Sequence, residues 1–314
     1  MGLAVPNINF KLGVLDMVPK LPGHSAEEAL AQAVLLAQRA EEWGCVRYWT
    51  SEHHDMEMLA SASPEVLLSH IGARTSRIRL GSGGVLLPHY SPLKVAECFR
   101  LLAALYPGRI DLGIGRAPGG EAHTVMALSG NFLERVARYR QLAGDLAALL
   151  RDEYRYEERP VTARPVPQTP PELWLLGTNV KSARFAAELG TGYVFGRFMS
   201  ETDGIETLKA YRDAFQPSSF QSAPRTILAV SVICGETREE AEAMAAGVEA
   251  AYRARGGSPF SGFAGTAGQV RKQLAEMQRQ YGNEEFLIVT PIPDYEKRLR
   301  SYRLLATSVA ECGV

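Results

Sequence analysis

Apolar positions along the chain fall into short runs separated by stretches of helical spacing, and the two alternate from one end to the other. The run Phe10–Leu15 predicts a first strand. Ser25 and Glu28 then stand at capping-box spacing, where each side chain satisfies a free N–H of the first turn. Leu30, Ala33, Ala37 and Ala40 carry a helical period that stops at Gly44. Val46–Thr50 is the second predicted strand, and Ser63 with Pro64 opens a helix to about Thr75. Ile78–Gly81 is the third strand and Pro92–Tyr106 its helix. The turn "PGR" at 107–109 leads into the fourth strand, Ile110–Gly115.

The second half keeps the rhythm less regularly. Asn131 and Glu134 cap a long helix to about Asp152, followed by "EERPVTARPVPQTPPE", too dense in proline for regular structure. Strands are expected at Leu173–Leu176, Tyr193–Phe195, Thr226–Cys234 and Phe286–Thr290. The helices between and after them are expected at Ser182–Leu189, Thr202–Phe215, Thr237–Arg253, Thr266–Tyr281 and from Asp294 onward. Eight strands, each followed by a helix, predict an α/β fold of the (β/α)8 TIM-barrel kind, with insertions in the loops after strands four and seven. An open doubly wound sheet is the alternative. No low-complexity tract or linker divides the chain, so residues 1–314 are expected to form a single barrel domain.

Composition narrows the function classes. The 314 residues are 46% hydrophobic and 22% charged with a net charge of −1, which offers no basic surface for nucleic acid or a membrane. No apolar run has the length of a membrane span. The N-terminus lacks the basic start of a signal peptide, and Met1-Gly2 is not followed by the Ser or Thr of a myristoylation motif, Asn7 standing nearby instead. Cys45, Cys98, Cys234 and Cys312 are far apart with no CxxC pair. A reduced, cytoplasmic protein is expected.

Unusual polar stretches recur where strands end and loops toward helices begin, the end at which barrels of this kind carry their chemistry. "SEHHD" follows strand two, "GSGG" (81–84) strand three, "GRAPGG" (115–120) strand four, "GTN" (177–179) strand five and "FGRF" (195–198) strand six. The opposite end has plain turns such as "EEWGC" and "LYPGR". After strand five, Gly177, Thr178 and Asn179 run into a helix whose first turn holds Lys181 and Ser182, and free N–H groups there suit an anion. Ordinary capping explains that segment equally well unless Arg116, at the end of strand four, reaches the same anion. Gly83-Gly84 permits a backbone geometry or close approach that a side chain would block. Neither Gly-rich stretch matches G-x-G-x-x-G before a helix. Glu52, His53, His54 and Asp55 are not expected to hold a metal, because adjacent residues of an extended chain point to opposite faces.

In this order "EHH", "GSGGVLLP", "PGRIDLGIGRAPG" and "LLGTNVKSARFAAELG" resemble the bacterial luciferase-like flavin monooxygenases over nearly the whole chain. Within them the chain is most similar to the single-chain branch whose N-termini read "SVLD", here "GVLD" at 13–16. The resemblance implies reduced FMN, supplied by a separate reductase, reacting with O2 to give a flavin C4a-peroxide that oxidises an organic substrate. It implies phosphate binding by Arg116, Gly177, Thr178, Asn179 and Ser182, and a non-proline cis peptide at Gly83-Gly84 beneath the flavin. It also makes His53 the acid/base group, and a homodimer through the helices at Ala62–Thr75 and Pro92–Tyr106.

Glu52, His54, Phe195 and Arg197 are the expected neighbours of the substrate, with His54 a packing or hydrogen-bonding neighbour of His53 and Glu52 either orienting the pair or completing a buried ion pair. Two departures stand out: Arg197 and Phe198 replace the family's histidines after strand six, and the segment 254–268 is shorter than its counterpart. A smaller lid implies a more open pocket and a bulkier substrate, such as a polycyclic natural product. The alternatives are an F420-dependent oxidoreductase, which shares the fold and the histidine region, and a flavin-binding barrel without turnover.

Overall fold

Alternate residues of a strand face opposite ways, and in this chain that parity separates a barrel interior from a helix-packed exterior. A computed structural model describes residues 10–254, 256 and 260–308. Met1, Gly2, Asn7 and Cys312 therefore lie outside the described residues, as do 255 and 257–259 of the shortened segment. The first half contains β1 (Lys11–Asp16), β2 (Arg47–Thr50), β3 (Arg79–Ser82), β4 (Val85–Leu86) and β5 (Ile110–Gly115). The second half contains the small hairpin β6 (Arg155–Tyr156) and β7 (Arg159–Pro160), then β8 (Glu172–Gly177), β9 (Gly192–Gly196), β10 (Thr226–Gly235), β11 (Gly262–Thr266) and β12 (Glu285–Val289).

Eight parallel staves close on themselves: β12 pairs with both β1 and β10, and β10 pairs with β9. This is the expected (β/α)8 barrel, and closure excludes the open sheet. β3 and β4 form one stave against β5, broken at Gly83-Gly84, whose peptide bond is cis. At the break Ser82 Oγ donates to the Gly113 carbonyl at 2.8 Å and accepts from its N–H at 3.1 Å, replacing the missing ladder bonds.

Inside the barrel, Leu15, Trp49, Trp174, Val194, Ile227, Ala229, Leu287 and Val289 form one apolar cluster. Large and small residues interlock across it: a Cβ on Gly81 would lie 2.4 Å from the Trp49 indole nitrogen, and one on Gly192 2.3 Å from the Trp174 ring. The lower end is closed by charge. Arg47 donates to Asp111 at 2.6 Å and also pairs with Glu285. Arg79 bridges Asp111 at 2.5 Å and Glu172 at 3.1 Å, and Arg225 reaches Glu172 at 3.0 Å. Three guanidinium groups and three carboxylates thus plug the floor.

The helices are α1 (Ala26–Glu42), α2 (Pro64–Gly72), α3 (Pro92–Leu105), α4 (Ala122–Ser129), α5 (Phe132–Ala137) and α6 (Tyr139–Leu150). They continue with α7 (Val180–Leu189), α8 (Ile205–Ala214), α9 (Arg238–Ala254), α10 (Ala267–Tyr281) and α11 (Tyr295–Thr307). The capping box of Ser25 and Glu28 starts α1 as expected. The Asp of "GVLD" has a structural task. Asp16, fully buried, accepts from Val18 N, Tyr48 Oη and Arg298 Nη2 at 2.7, 2.7 and 2.8 Å, tying α11 to the first two staves.

Three expectations need correction. The helix expected from Asn131 to Asp152 breaks at Arg138 into α5 and α6, because Arg135 holds α5 down on the carbonyls of Pro88 and Tyr90. The proline-rich stretch contains β7, which pairs antiparallel with β6 just before it. The shortened segment after α9 includes a strand, β11, that adds to the free upper part of β10.

Candidate active site

The loop after β2 builds the histidine centre. Ser51 N donates to the Asp16 carbonyl, and His53 N donates to the Ser61 carbonyl at 2.9 Å, so the loop is fixed from both sides. The His53 ring is half-buried, with Nδ1 at 3.1 Å from Ser51 Oγ. Among the described residues Nε2 has no hydrogen-bond partner. Burial lowers the His53 pKa below its ordinary 6.5, with Glu52 opposing and His54 reinforcing the shift, so the imidazole is neutral at pH 7. Nδ1 and Ser51 Oγ share a hydrogen bond whose direction follows the ring tautomer, and Nε2 is the ring nitrogen left for chemistry.

Glu52 and His54 are engaged with each other and with neighbouring loops. Glu52 is 3% exposed, and its oxygens accept from Tyr90 Oη at 2.7 Å, His54 Nε2 at 2.8 Å and Leu86 N at 3.1 Å. It straps the β2 loop to β4 and to the turn that follows it. His54 N donates to the Gly119 carbonyl, which anchors the loop after β5 as well. Glu52 therefore orients His54 and not His53.

Gly83 and Gly84 sit over the interior cluster. A Cβ on Gly83 would lie 2.5 Å from Leu15 Cδ1, and one on Gly84 2.8 Å from the Gly113 carbonyl oxygen, so the chain passes there only without side chains.

After β8, Asn179 caps α7 by accepting from Ser182 N at 3.1 Å, while Ser182 Oγ donates to the Asn179 carbonyl at 2.7 Å and meets Tyr193 Oη at 3.0 Å. Both side chains are thus engaged in shaping the turn, and a Cβ on Gly177 would strike Ser182 Oγ. What remains for an anion is Thr178 and the first-turn N–H groups of α7, which have no intrahelical acceptor. Arg116 follows β5 and is exposed, its charge acting on the hydroxyl of Tyr139. Tyr139 was missed from sequence. Its hydroxyl is buried without a hydrogen-bond partner, and its ring packs edge-on against Phe185 of α7 at 6.1 Å. A buried donor with no acceptor, packed on α7 and within the field of Arg116, fits a bound anion. The "RY" at 138–139 offered no signal for it.

Phe195 also needs correction. Val194 faces the barrel interior, so its neighbour Phe195 faces the helices, fully buried in the outer core. Arg197, just past β9, does line a cavity, one of about 550 Å³ between β10, β11 and α10. Among the described residues no group of three or more His, Cys, Asp or Glu is placed to hold a metal, and no helix is long and apolar enough to cross a membrane.

Residues 10–289 match the family model described as luciferase-like monooxygenase. The protein YwcH of Bacillus subtilis (strain 168) is 41% identical, the match covering 96% of this chain and 99% of YwcH. The N-acetyl-S-alkylcysteine monooxygenase of the same organism is 36% identical over 95% of this chain and 98% of its own. The crystal structure of apo-MsnO8 superposes with a TM-score of 0.84 at 37% identity, covering 97% of this chain and 98% of that one.

Proposed function

This chain belongs to the luciferase-like monooxygenase family, and from that premise we propose that it is a reduced-FMN-dependent monooxygenase supplied by a separate flavin reductase. One observation supports the reading: the glycine bend after β3, His53 after β2, Arg116 after β5 and the start of α7 after β8 all follow the same ends of neighbouring parallel staves. Bound there, reduced FMN would supply the activation of O2. Arg116, Tyr139, Thr178 and the first turn of α7 would hold its phosphate. Gly83 and Gly84 would let the ring approach the backbone. His53, neutral, would in its Nε2–H tautomer donate a hydrogen bond to reacting oxygen and pass that proton on.

For the substrate, the relative that acts on N-acetyl-S-alkylcysteine supports an organic acid with an apolar thioether arm. The guanidinium and aromatic walls of the cavity suit that class better than a polycyclic natural product.

The test is an absorbance titration of purified protein with FMN, reduced FMN and F420, followed by turnover with a flavin reductase and NADH. Tight binding of reduced FMN and O2-dependent product formation are expected. Hydride transfer with F420 and no oxygenation would sink the reading, and flavin binding without any turnover would leave a non-catalytic carrier.

Two predictions follow from the same geometry. Arg116→Gln should weaken FMN by about 10–100-fold, the worth of a hydrogen bond to a charged group, while riboflavin, which lacks the phosphate, should bind as before. Equal losses for both ligands in a fluorescence titration would remove Arg116 from the phosphate site. The exposed apolar side chains Val66 on α2 and Leu101 and Leu105 on α3 support a homodimer through those helices. Light scattering at micromolar concentration should give twice the chain mass, and Leu101→Glu with Leu105→Glu should halve it.

A further inference from the structure

The side wall of the barrel has a notch. β10 pairs with β9 up to Ala229 opposite Gly196, and with β11 only from Ser231 opposite Gly262. Between the two registers Val230 has no strand beside it on that edge. The cavity of about 550 Å³ lies at this step, and both Val230 and Ser231 line it. Val230 belongs to the outer core, whereas Ser231 shares the parity of Ala229, an interior residue. Residues of the outer core and of interior parity thus both border the cavity. Phe198 packs on the interior cluster and also faces the cavity.

Arg47, Arg79, Arg100 and Arg298 are buried or half-buried and each is neutralised by a carboxylate, while half-buried Arg109 and Arg135 donate to backbone carbonyls. Arg197 is half-buried at the cavity wall, yet among the described residues it forms no ion pair; its side chain is hydrogen-bonded to Tyr281. Withdrawing a guanidinium from water without a counter-ion is unfavourable, so the site favours an anion, and the planar fork suits a carboxylate. Phe260 and Phe263 supply apolar surface on the β11 side. Glu276 also lines the cavity but is exposed on α10, where solvent screens its repulsion.

We propose that this lateral cavity is the substrate site, taking an organic acid whose carboxylate pairs with Arg197 and whose apolar arm passes Phe198 toward the barrel mouth. The inference rests on the monooxygenase reading above and names its substrate class and route of entry. The volume lies within the roughly 300–1,000 Å³ common for small-molecule sites.

Calorimetric titration of the flavin-free protein with N-acetyl-S-benzyl-L-cysteine and with its methyl ester tests this without turnover. The acid should bind saturably and at least about 10-fold more tightly than the ester. Arg197→Gln should remove that preference, lowering acid affinity about 10–100-fold and leaving the ester and FMN unchanged. Circular dichroism and thermal unfolding of the variant should match wild type. Absence of saturable acid binding at millimolar concentration, equal binding of acid and ester, or acid preference surviving in Arg197→Gln would each overturn the proposal. If FMN still binds in those cases, only the substrate site is wrong; if wild type binds no FMN, the functional reading itself fails.

Discussion

His53→Ala should bind FMN as wild type does and lose product formation by about 10²–10⁴-fold, the usual worth of a positioned proton-transfer group. The ring is half-buried at the mouth and contributes little to the core, so folding should survive. Its Nδ1 is held by Ser51 and its Nε2 is left for chemistry. The readout is product formed per O2 consumed, because loss of this group should divert oxygen to hydrogen peroxide. The pH dependence carries a sign. Burial, the largest influence, holds the His53 pKa below 6.5, and the neutral ring is the active form. Activity should therefore be full above that range and fall as pH drops through the depressed pKa, and this acid limb should vanish in His53→Ala. His54→Ala is the contrast: it strips one of three donors from the buried Glu52, so thermal stability should fall more than chemistry. An unchanged product yield in His53→Ala would disprove its assignment.

Asp111→Ala should be the most destabilising single substitution at the barrel floor, at about 3–5 kcal/mol. One carboxylate accepts from Arg47 at 2.6 Å, Trp49 Nε1 at 2.9 Å and Arg79 at 2.5 Å, and it is fully buried. Its removal leaves Arg47, itself 2% exposed, with Glu285 alone and the indole N–H with nothing. The check is urea unfolding of Asp111→Ala beside Glu188→Ala, which breaks the exposed pair with Arg140. The surface variant should cost no more than about 1 kcal/mol. Comparable losses in the two variants would show that the floor is not held by charge.

The barrel itself was legible because strand and helix periods differ and because caps such as Ser25 with Glu28 are local. The mouth was legible for the same reason, since its motifs sit at strand ends. Side-chain partnerships were not. Asp16 meets Arg298 from 282 positions away and Glu52 meets Tyr90 from 38, distances over which no local pattern operates. Phe195 was misplaced because both faces of β9 are buried, and a strand covered on both sides shows no alternation to read. α4 escaped notice because it exposes Met126 and Leu128, so its apolar residues do not form the one-sided stripe that marks a surface helix. β11 is short and glycine-bearing, and becomes a strand only because β10 extends past β9.

Closure of the barrel joins Lys11 to Glu285 in register, and the Asp16–Arg298 link lies further along the chain still. During synthesis at roughly 5–20 residues per second, the first strand therefore waits on the order of 15–60 s before its partner has left the ribosome. Throughout that interval one edge of β1 and the arginine-seeking carboxylate of Asp16 are exposed. Yield in the cell should accordingly depend on holding chaperones more than on the stability of the finished barrel. Truncations that remove α11 should then collect in aggregates, even though α11 lies outside the candidate active site.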